Sequence, residues 1–473
     1  MNGVRLACSA IAAAALAGCS MIPAYQRPEA PVPGNWLYDS AAQGTPATAL
    51  NWQDFFAQQQ LRDLIATALR NNRDLRVAVL NIEQARAQYD IRRADLYPSV
   101  GAAATATRAP AQGTQGAQGS GVKEITTYTV GLALSQWEID FFGRIASLSQ
   151  AALAQYLATE EGRKAAQISL VSSVATTWLS LVADRELLAV TRQTLETREE
   201  SLRLTKLRFD NGVSSELDFR QAQSLAETAR VALAQQQRQL ALDANALSLL
   251  IGEPASPDIT GNTALASLTF PDVPAGVPSD VLVRRPDVQQ AEQQLVAANA
   301  NIGAARAAFF PRITLTASAG TASDALSGLF KSGSWAYTAA PQLLQPIFDA
   351  GRNRAGLRSA EVGRDIAVAQ YERAIQTAFR EVSDALAGRT TLADQVRAQD
   401  NVTEAETVRL RLSTLRYDNG VASYLELLDA QRSLFTARQQ QVQTRLQLLQ
   451  NQVLLYRSLG GGWTDVTTPV AAQ

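Results

Sequence analysis

The sequence predicts a mainly α-helical protein with a membrane β part, in which long coiled-coil hairpins form an α-barrel and four short strands contribute to a β-barrel. Three observations predict it. Residues 202–213, LRLTKLRFDNGV, return as LRLSTLRYDNGV at 410–421, with nine of twelve positions identical at an offset of 208, so the chain is an internal tandem repeat. Two long proline-free stretches carry apolar residues at heptad spacing, as coiled coils do. Short runs that alternate apolar with small or polar residues are typical of membrane barrel strands.

The amino terminus carries a short apolar run, residues 6–17, directly after Arg5. At about twelve residues this run is too short to span a bilayer, so a signal peptide is predicted over 1–18. The Leu-Ala-Gly-Cys sequence that ends at Cys19 resembles the lipobox of bacterial lipoprotein precursors. That resemblance implies a diacylglycerol on the sulfur and an acyl chain on the amine of Cys19; an ordinary signal peptide with a chance cysteine is the alternative.

The residues after Cys19 are rich in proline, which predicts an extended tether over 19–50. Ser20, where some lipoproteins have aspartate, implies delivery to the outer membrane by resemblance to that class. A helical pattern then runs from Asp54 to Leu96 and ends before Pro98.

Strand patterns follow, and the second half of the chain repeats this order. The strands are predicted at 99–108, 125–137, 313–319 and 335–344, with a helical pattern at 282–310 between the two pairs. The structural repeats are predicted at 51–253 and 281–460, with a proline-rich linker at 254–280 and an unstructured tail at 461–473.

Each repeat ends in a long helical hairpin, at 143–251 and 351–459, that turns at an Asp-Asn-Gly triplet able to adopt left-handed backbone. The two tips are Asp210, Asn211 and Gly212, and Asp418, Asn419 and Gly420. A continuous helix from Gly143 to Asp210 is about 100 Å long at roughly 1.5 Å per residue, against about 30 Å for a bilayer core. We expect it to be too polar for lipid and long enough to cross the space between two membranes.

The composition excludes several classes of function. The formal net charge is −1 and no basic block is present, so nucleic acid is not an expected partner. The chain has no histidine, and both cysteines lie in its first nineteen residues. Because Cys/His metal sites and nucleophile-histidine pairs cannot be built from this composition, we expect no enzyme activity, no metal site and no cofactor beyond lipid on Cys19.

Four strands cannot close a barrel, and open strand edges in lipid leave unpaired backbone groups that cost several kcal/mol each. The chain must therefore oligomerise. Two copies give eight strands, whose interior side chains fill, whereas three copies give twelve strands and leave a lumen. We expect a homotrimer with a twelve-stranded barrel.

Several motifs, taken in order, resemble one known family across essentially the whole chain. They are the lipobox, YQRPEAP at 25–31, RRPD at 284–287, AAFFP at 307–311, LDAQR at 428–432 and LGGGW at 459–463. The chain resembles the OprM and TolC type of outer-membrane channel, in its lipoprotein branch that serves resistance-nodulation-division (RND) efflux pumps. The resemblance implies a lipid-anchored outer-membrane duct with a helical tunnel in the periplasm. Its partners would be a periplasmic adaptor, which meets the tips, and an inner-membrane pump.

The resemblance also implies a gate at the periplasmic end. Leu425, Asp429 and Arg432 occupy the family's constriction positions, and Tyr417 stands where a tip tyrosine helps to hold it shut. Glu426 is a candidate second acidic ring, while Ala422 occupies the position of an arginine latch found in some relatives. We expect Arg432 to neutralise Asp429 three residues away on the same helix face.

The first hairpin differs at the matching positions, where it has Asp218, Gln221 and Ser224. From spacing alone, the polar face of the second hairpin could equally be a solvated helix surface. Two other functions stay open: a non-conducting trimeric surface lipoprotein or coiled-coil scaffold, and the outer-membrane duct of a protein secretion system.

Overall fold

The computed structural model describes residues 20–36, 38, 47–110, 124–256, 259–261, 263–276 and 278–462. The predicted signal peptide, Cys19, the glycine-rich segment between the first two strands and the tail from 463 onward lie outside the described residues. The chain forms two compact units: Met1–Glu29 with Asn81–Glu160 and Gln290–Tyr371, and Ala30–Leu80 with Glu161–Gln289 and Glu372–Gln473. Each unit takes segments from both repeats, so the repeats are not separate bodies.

The secondary structure is mainly helical. Its helices are α1 Trp52–Phe55, α2 Gln59–Asn71, α3 Arg73–Ala94, α4 Arg144–Asp210, α5 Glu216–Ile251, α6 Pro278–Arg284, α7 Pro286–Ala307, α8 Arg352–Asp418 and α9 Tyr424–Ser458. The strands are β1 Val100–Pro110, β2 Glu124–Glu138, β3 Arg312–Ser323 and β4 Trp335–Leu344. Short 3-10 turns lie at Ala47–Ala49, Leu265–Ser267 and Leu326–Gly328.

The internal repeat is visible in the two long hairpins. Helices α4 and α8 have 67 residues each, and both their first and their last residues are 208 positions apart. The return helices α5 and α9 begin at Glu216 and Tyr424, again 208 positions apart. Long hairpins with four strands confirm the predicted fold class.

Two predicted helices are each divided. The pattern at 54–96 is broken at Asn72, whose side-chain Oδ1 accepts from the Leu75 amide at 2.8 Å and whose Nδ2 donates to the Leu250 carbonyl at 2.9 Å. Asn72 thus caps the start of α3, which the apolar spacing did not reveal. The pattern at 282–310 is broken before Pro286, because the residue ahead of a proline disfavours helical backbone.

The four strands form one antiparallel sheet in the order β1-β2-β3-β4. Gly131 of β2 pairs with Gly320 of β3, and a Cβ on either would lie within 2.4 Å of a backbone oxygen across the ladder. These glycines permit the close approach of the two repeats' strands. The outer edges of β1 and β4 have no partner strand among the described residues.

Helix α4 contains one stretch apolar enough to cross a membrane by length and composition, which differs from the expectation that the whole helix is too polar. Most of this stretch, 61 %, is buried inside the protein. Trp178, Val174 and Leu179 within the helix are fully buried. Packing therefore accounts for the apolar composition.

The proline-rich linker is packed rather than loose. Leu265 and Val273 are buried, and the Phe270 ring stacks on Phe55 at 5.3 Å between centroids. Phe55 in turn stacks on Tyr456 at 4.0 Å. Because aromatic residues bury large apolar areas, this stack holds the linker against α1 and α9.

The tether residues 20–36 form no helix or strand and are held at several points. Asn299 donates to the Pro23 carbonyl at 2.8 Å, and the Trp36 ring stacks on Phe379. The Arg27 guanidinium donates to both oxygens of Glu292, at 2.7 and 2.9 Å, and the Tyr25 hydroxyl donates to the same carboxylate at 3.0 Å. Burial and the neighbouring Glu292 carboxylate raise the pKa of Tyr25.

Candidate functional site

The two hairpin tips have the same backbone geometry. Gly212 and Gly420 both have φ of +72°, a left-handed conformation that glycine adopts without strain. Each tip closes with the same pair of amide-to-carbonyl bonds, from Gly212 to Phe209 and Val213 to Arg208 in the first, and from Gly420 to Tyr417 and Val421 to Arg416 in the second. This is a Schellman-type helix end.

The tip triplets are exposed. The Asn211 and Asn419 amides donate to carbonyls four residues earlier, at 2.7 and 2.6 Å, so each asparagine closes its own helix. Asp210 accepts from Lys206 at 2.8 Å. Gly212, Asp418 and Gly420 are exposed, which leaves the tip surfaces open to a partner.

Behind the tips, an apolar cluster joins the two hairpins. Its buried members are Ala222, Leu225, Tyr424, Leu427 and Leu428, with Leu202, Leu410 and Tyr417 packed against them. The Tyr424 hydroxyl lies 3.0 Å from the Ser201 hydroxyl on the other hairpin. The hairpins are therefore held together by packing as well as by hydrogen bonds.

Tyr417 lies at the end of α8 and bonds across to the first hairpin. Arg208 Nη1 donates to the Tyr417 hydroxyl at 2.7 Å, and the guanidinium also lies 5.6 Å from the centre of the tyrosine ring. The ring packs beside Tyr424 at 5.5 Å. A tyrosine in this position ties the two tips together, whereas the matching Phe209 has no hydroxyl and stacks on Phe219 of its own hairpin.

Leu425, Asp429 and Arg432 share one exposed face of α9. Leu425 is 58 % exposed and the Asp429 side chain 53 %, and Arg432 is also exposed. The opposite face carries the buried Leu427 and Leu434. A single chain therefore leaves an apolar, an acidic and a basic side chain exposed on the same face.

The expected pairing of Asp429 with Arg432 is wrong. Asp429 accepts a hydrogen bond from Arg409 of α8, the facing helix of the same hairpin. Arg409 also contacts Glu406 at 3.2 Å. A side chain on the facing helix reaches the carboxylate directly, whereas Arg432 has no hydrogen bond or ion pair from its guanidinium within the described part of the chain.

Glu426 is only half-exposed and forms an ion pair with Arg416 of α8 at 3.4 Å. Its counterpart in the first hairpin, Asp218, closes a capping box with Ser215 at the start of α5. The two hairpins thus use the matching acidic residue for different tasks.

A model of one family matches most of the chain, and that family is described as outer membrane efflux protein, with residues 64–253 and 277–461 aligned. The chain belongs to the outer membrane efflux protein family. The resemblance noted in the sequence is thereby confirmed, and so is the predicted location in the outer membrane.

Individual efflux relatives agree over nearly the full length. A toluene efflux pump outer membrane protein of Pseudomonas putida, TtgC, is 46 % identical over 466 residues, which cover 97 % of this chain and 96 % of the relative. Outer membrane protein OprJ of Pseudomonas aeruginosa is 45 % identical over 452 residues, covering 95 % and 94 %. The open-state MtrE outer membrane channel of Neisseria gonorrhoeae superposes with a TM-score of 0.86 at 39 % identity, covering 95 % of this chain and all of that one.

These matches favour efflux over the scaffold and secretion alternatives. The residues missed by the sequence reasoning are Arg208, Arg409 and Arg416, which bond to the predicted site residues from a facing helix. One signal could have found Arg409: it and Asp429 each lie ten residues from Asn419, so an antiparallel hairpin sets them opposite each other.

Proposed function

We propose that this protein is the outer-membrane exit duct of a tripartite RND-type efflux pump. It passively conducts drugs and small toxic compounds that an inner-membrane pump and a periplasmic adaptor deliver. The observation that carries the proposal is the uncovered face of α9, where Leu425, Asp429 and Arg432 stand in line near the hairpin tips. An exposed face with one apolar, one acidic and one basic side chain suits the lining of a duct.

A homotrimer is the assembly we infer. The four-stranded sheet has unpaired outer edges on β1 and β4 within the described residues, and such edges are unstable in a bilayer. Three copies supply twelve strands, which is wide enough for a lumen. The uncovered faces of three α9 helices would then meet around one axis.

In that assembly the periplasmic end acts as the gate. Asp429 contributes a ring of three carboxylates that attracts cations, with Leu425 as an apolar collar one turn away. Glu426 contributes a second, more buried acidic ring, while Tyr417 holds the hairpins together through Arg208. Arg432, which pairs with no acid in the described part of its own chain, faces the lumen or the next protomer.

The exposed tips are the proposed contact with the adaptor. Asp210, Asn211 and Gly212 and the matching Asp418, Asn419 and Gly420 offer short side chains and accessible backbone at two equivalent turns. Two similar turns per chain would give a trimer six docking points.

We also propose that mature Cys19 carries the diacylglycerol and the N-acyl chain. The support is the Leu-Ala-Gly-Cys sequence and the tether that Arg27 fixes on Glu292. The acyl chains add membrane affinity of roughly 0.8 kcal/mol per buried methylene.

Single-channel recording in planar bilayers tests the duct and its gate. The wild type should show small, cation-selective openings, and Asp429→Ala should enlarge them and reduce the cation preference. The matched control is Gln221→Ala, at the equivalent position of the first hairpin. No channel activity, or identical conductance and selectivity for wild type and Asp429→Ala, would overturn the proposal.

The substrate class is tested in cells. Two relatives from Pseudomonas putida are the outer membrane proteins of an antibiotic efflux pump and of a toluene efflux pump. A strain without this gene should therefore become more sensitive to toluene and to antibiotics. Complementation with the wild-type gene should restore resistance.

A further inference from the structure

A cavity of about 200 Å³ lies among helices α4, α8 and α9, on the shaft of the hairpins behind the tips. Its lining combines cationic, amide and apolar side chains. Those that carry the argument are Arg198, Arg438, Gln431, Leu410, Leu434 and Phe435. No acidic residue lines it within the described part of the chain.

Arg198 is the unusual member, because it is a guanidinium that is only 3 % exposed and has no carboxylate partner among the described residues. It donates one hydrogen bond, from Nη1 to the Leu225 carbonyl at 3.1 Å, and its Nε has no partner there either. A guanidinium has five N–H donors, so most of the hydrogen-bonding capacity of Arg198 is unused within the described chain. A buried cation without an anion is unfavourable in a protein interior.

The surroundings of Arg198 increase this imbalance. Arg438 also lines the cavity, and its Nη1 reaches only the Gln193 amide oxygen, at 3.4 Å, within the described chain. Burial, and then the charge of Arg432, lower the pKa of Arg198. The cavity therefore holds two arginines that have no carboxylate partner in the described part of the chain.

A second buried polar group is also unsatisfied. Gln431 Oε1 is buried without a hydrogen-bond partner in the described chain. The amide of Gln431 can be turned so that its NH2 group points the other way, since the two ends are similar in shape. Arg198 and Gln431 both line the cavity, so two buried polar atoms there lack partners in the described chain.

The other walls are apolar. The Phe435 ring lies 5.0 Å from the Arg198 guanidinium carbon, and Leu410 and Leu434 complete that side. For comparison, a dry cavity of about 150 Å³ lined by apolar residues accommodates benzene. The cavity is thus large enough for one six-membered ring with a small polar group.

We propose that this cavity binds a small organic carboxylate, whose anionic head pairs with Arg198 and Arg438 and whose apolar body packs on Phe435, Leu410 and Leu434. Guanidinium groups bind carboxylates through two parallel hydrogen bonds, which suits a head group held by Arg198. This site is separate from the exposed face of α9 and does not depend on the protein being a conducting duct.

The test is isothermal titration calorimetry of the full-length mature protein in detergent, with benzoate as the probe. Saturable binding of benzoate is expected, with at least tenfold weaker binding of benzyl alcohol, which has the same ring but no charge. Arg198→Met should weaken benzoate binding at least tenfold, and Arg438→Met several-fold. The control is Arg192→Met, an exposed arginine on the same helix outside the cavity.

Benzoate should also raise the melting temperature of the wild type, and not that of Arg198→Met, because a ligand that binds only the folded state stabilises it. Absence of saturable benzoate binding, or equal affinity for benzyl alcohol, overturns the proposal without reference to any variant. If a carboxylate side chain of a second copy fills the cavity in the assembled protein, benzoate will be excluded. No saturable binding will then be seen, and the proposal is overturned. Channel recordings are independent of this outcome, so failure of the duct and failure of the site can be told apart.

Discussion

The carboxylate of Asp429 is paired with Arg409, twenty residues earlier on the facing helix, and not with Arg432 on its own helix. The pair joins α8 to α9 across the second hairpin, on the face of α9 that also carries Leu425. Asp429 is therefore held by the hairpin itself, and Arg432 has no ion-pair partner in the described part of the chain.

The first prediction is that Arg409 and Asp429 act as a unit in the closed state. Arg409→Ala should raise single-channel conductance about as much as Asp429→Ala, and the double variant should add little. An exposed ion pair contributes about 0.2–1 kcal/mol to the stability of the closed state. The proposed trimer contains three such pairs. Planar-bilayer recordings of the three variants decide it; additive effects of the two single changes would contradict the pairing.

Much of this hairpin could be predicted from the sequence. The bounds of α4 and α8 follow from the absence of proline and from the repeat, and the turns follow from Asp-Asn-Gly. Pairing between helices could not be predicted from residues on one helix, because it depends on the register between α8 and α9. Spacing within α9 favours Arg432 as the partner of Asp429, whereas in the folded hairpin the partner is Arg409.

The same limit explains the other differences. The buried linker has no periodic pattern, because its packing depends on residues far away in the chain: Phe270 stacks on Phe55, and Leu265 and Val273 are buried. The break at Asn72 depends on one side chain that caps α3 and also reaches Leu250. By contrast, the sequence predicts β4 at its observed bounds, because the second half of the chain repeats the order of the first.

The second prediction concerns the bond between the two tips. Tyr417→Phe keeps the ring beside Tyr424 but removes the hydroxyl that accepts from Arg208. A hydrogen bond to a charged group contributes about 1.5–3 kcal/mol, so the open population should rise about tenfold or more. Conductance and open probability in bilayers measure it. Lys206→Gln, which removes an ion pair within the first hairpin only, should leave both unchanged.

The third prediction concerns the tether. Arg27→Ala leaves the Glu292 carboxylate, which is 8 % exposed, with only the Tyr25 hydroxyl as a donor. A nearly buried carboxylate then loses its countercharge. The attachment of the tether to α7 should therefore become weaker by about 1–3 kcal/mol. Limited proteolysis should cut the amino-terminal segment faster in Arg27→Ala than in the wild type. Glu29→Gln, an exposed change two residues away, is the control and should behave like the wild type.

The fourth prediction concerns the mature amino terminus. Cys19 should carry three acyl chains, so the intact mass of the mature protein should exceed that of the chain from Cys19 onward by a diacylglycerol and one acyl group. Cys19→Ala behind a cleavable leader should still reach the outer membrane in part, because the barrel also anchors the protein. An unmodified amine on Cys19 would contradict the lipid anchor.

The fifth prediction comes from two facing acids on the first hairpin, Asp184 of α4 and Asp243 of α5. Asp184 is buried, and this burial, together with a hydrogen bond to Asp243 and its charge, raises the pKa of Asp184 to about 7. The unfolded chain ionises this group near 3.8. Between these two values the folded protein holds a proton that the unfolded chain has released, so this group's contribution to stability is complete below about pH 4 and declines as pH rises towards 7.

Asp184→Asn removes the ionisation and keeps a similar shape. At pH 8 the variant should therefore be more stable than the wild type, by about 1–3 kcal/mol, while at pH 4 the two should be similar. Apparent melting temperatures in detergent, recorded at one scan rate from pH 4 to pH 8, measure the difference. Glu196→Gln, an exposed change on the same helix, should follow the wild type at every pH. If Asp184→Asn kept the same decline in melting temperature between pH 4 and pH 7, the buried acid pair would not be its source.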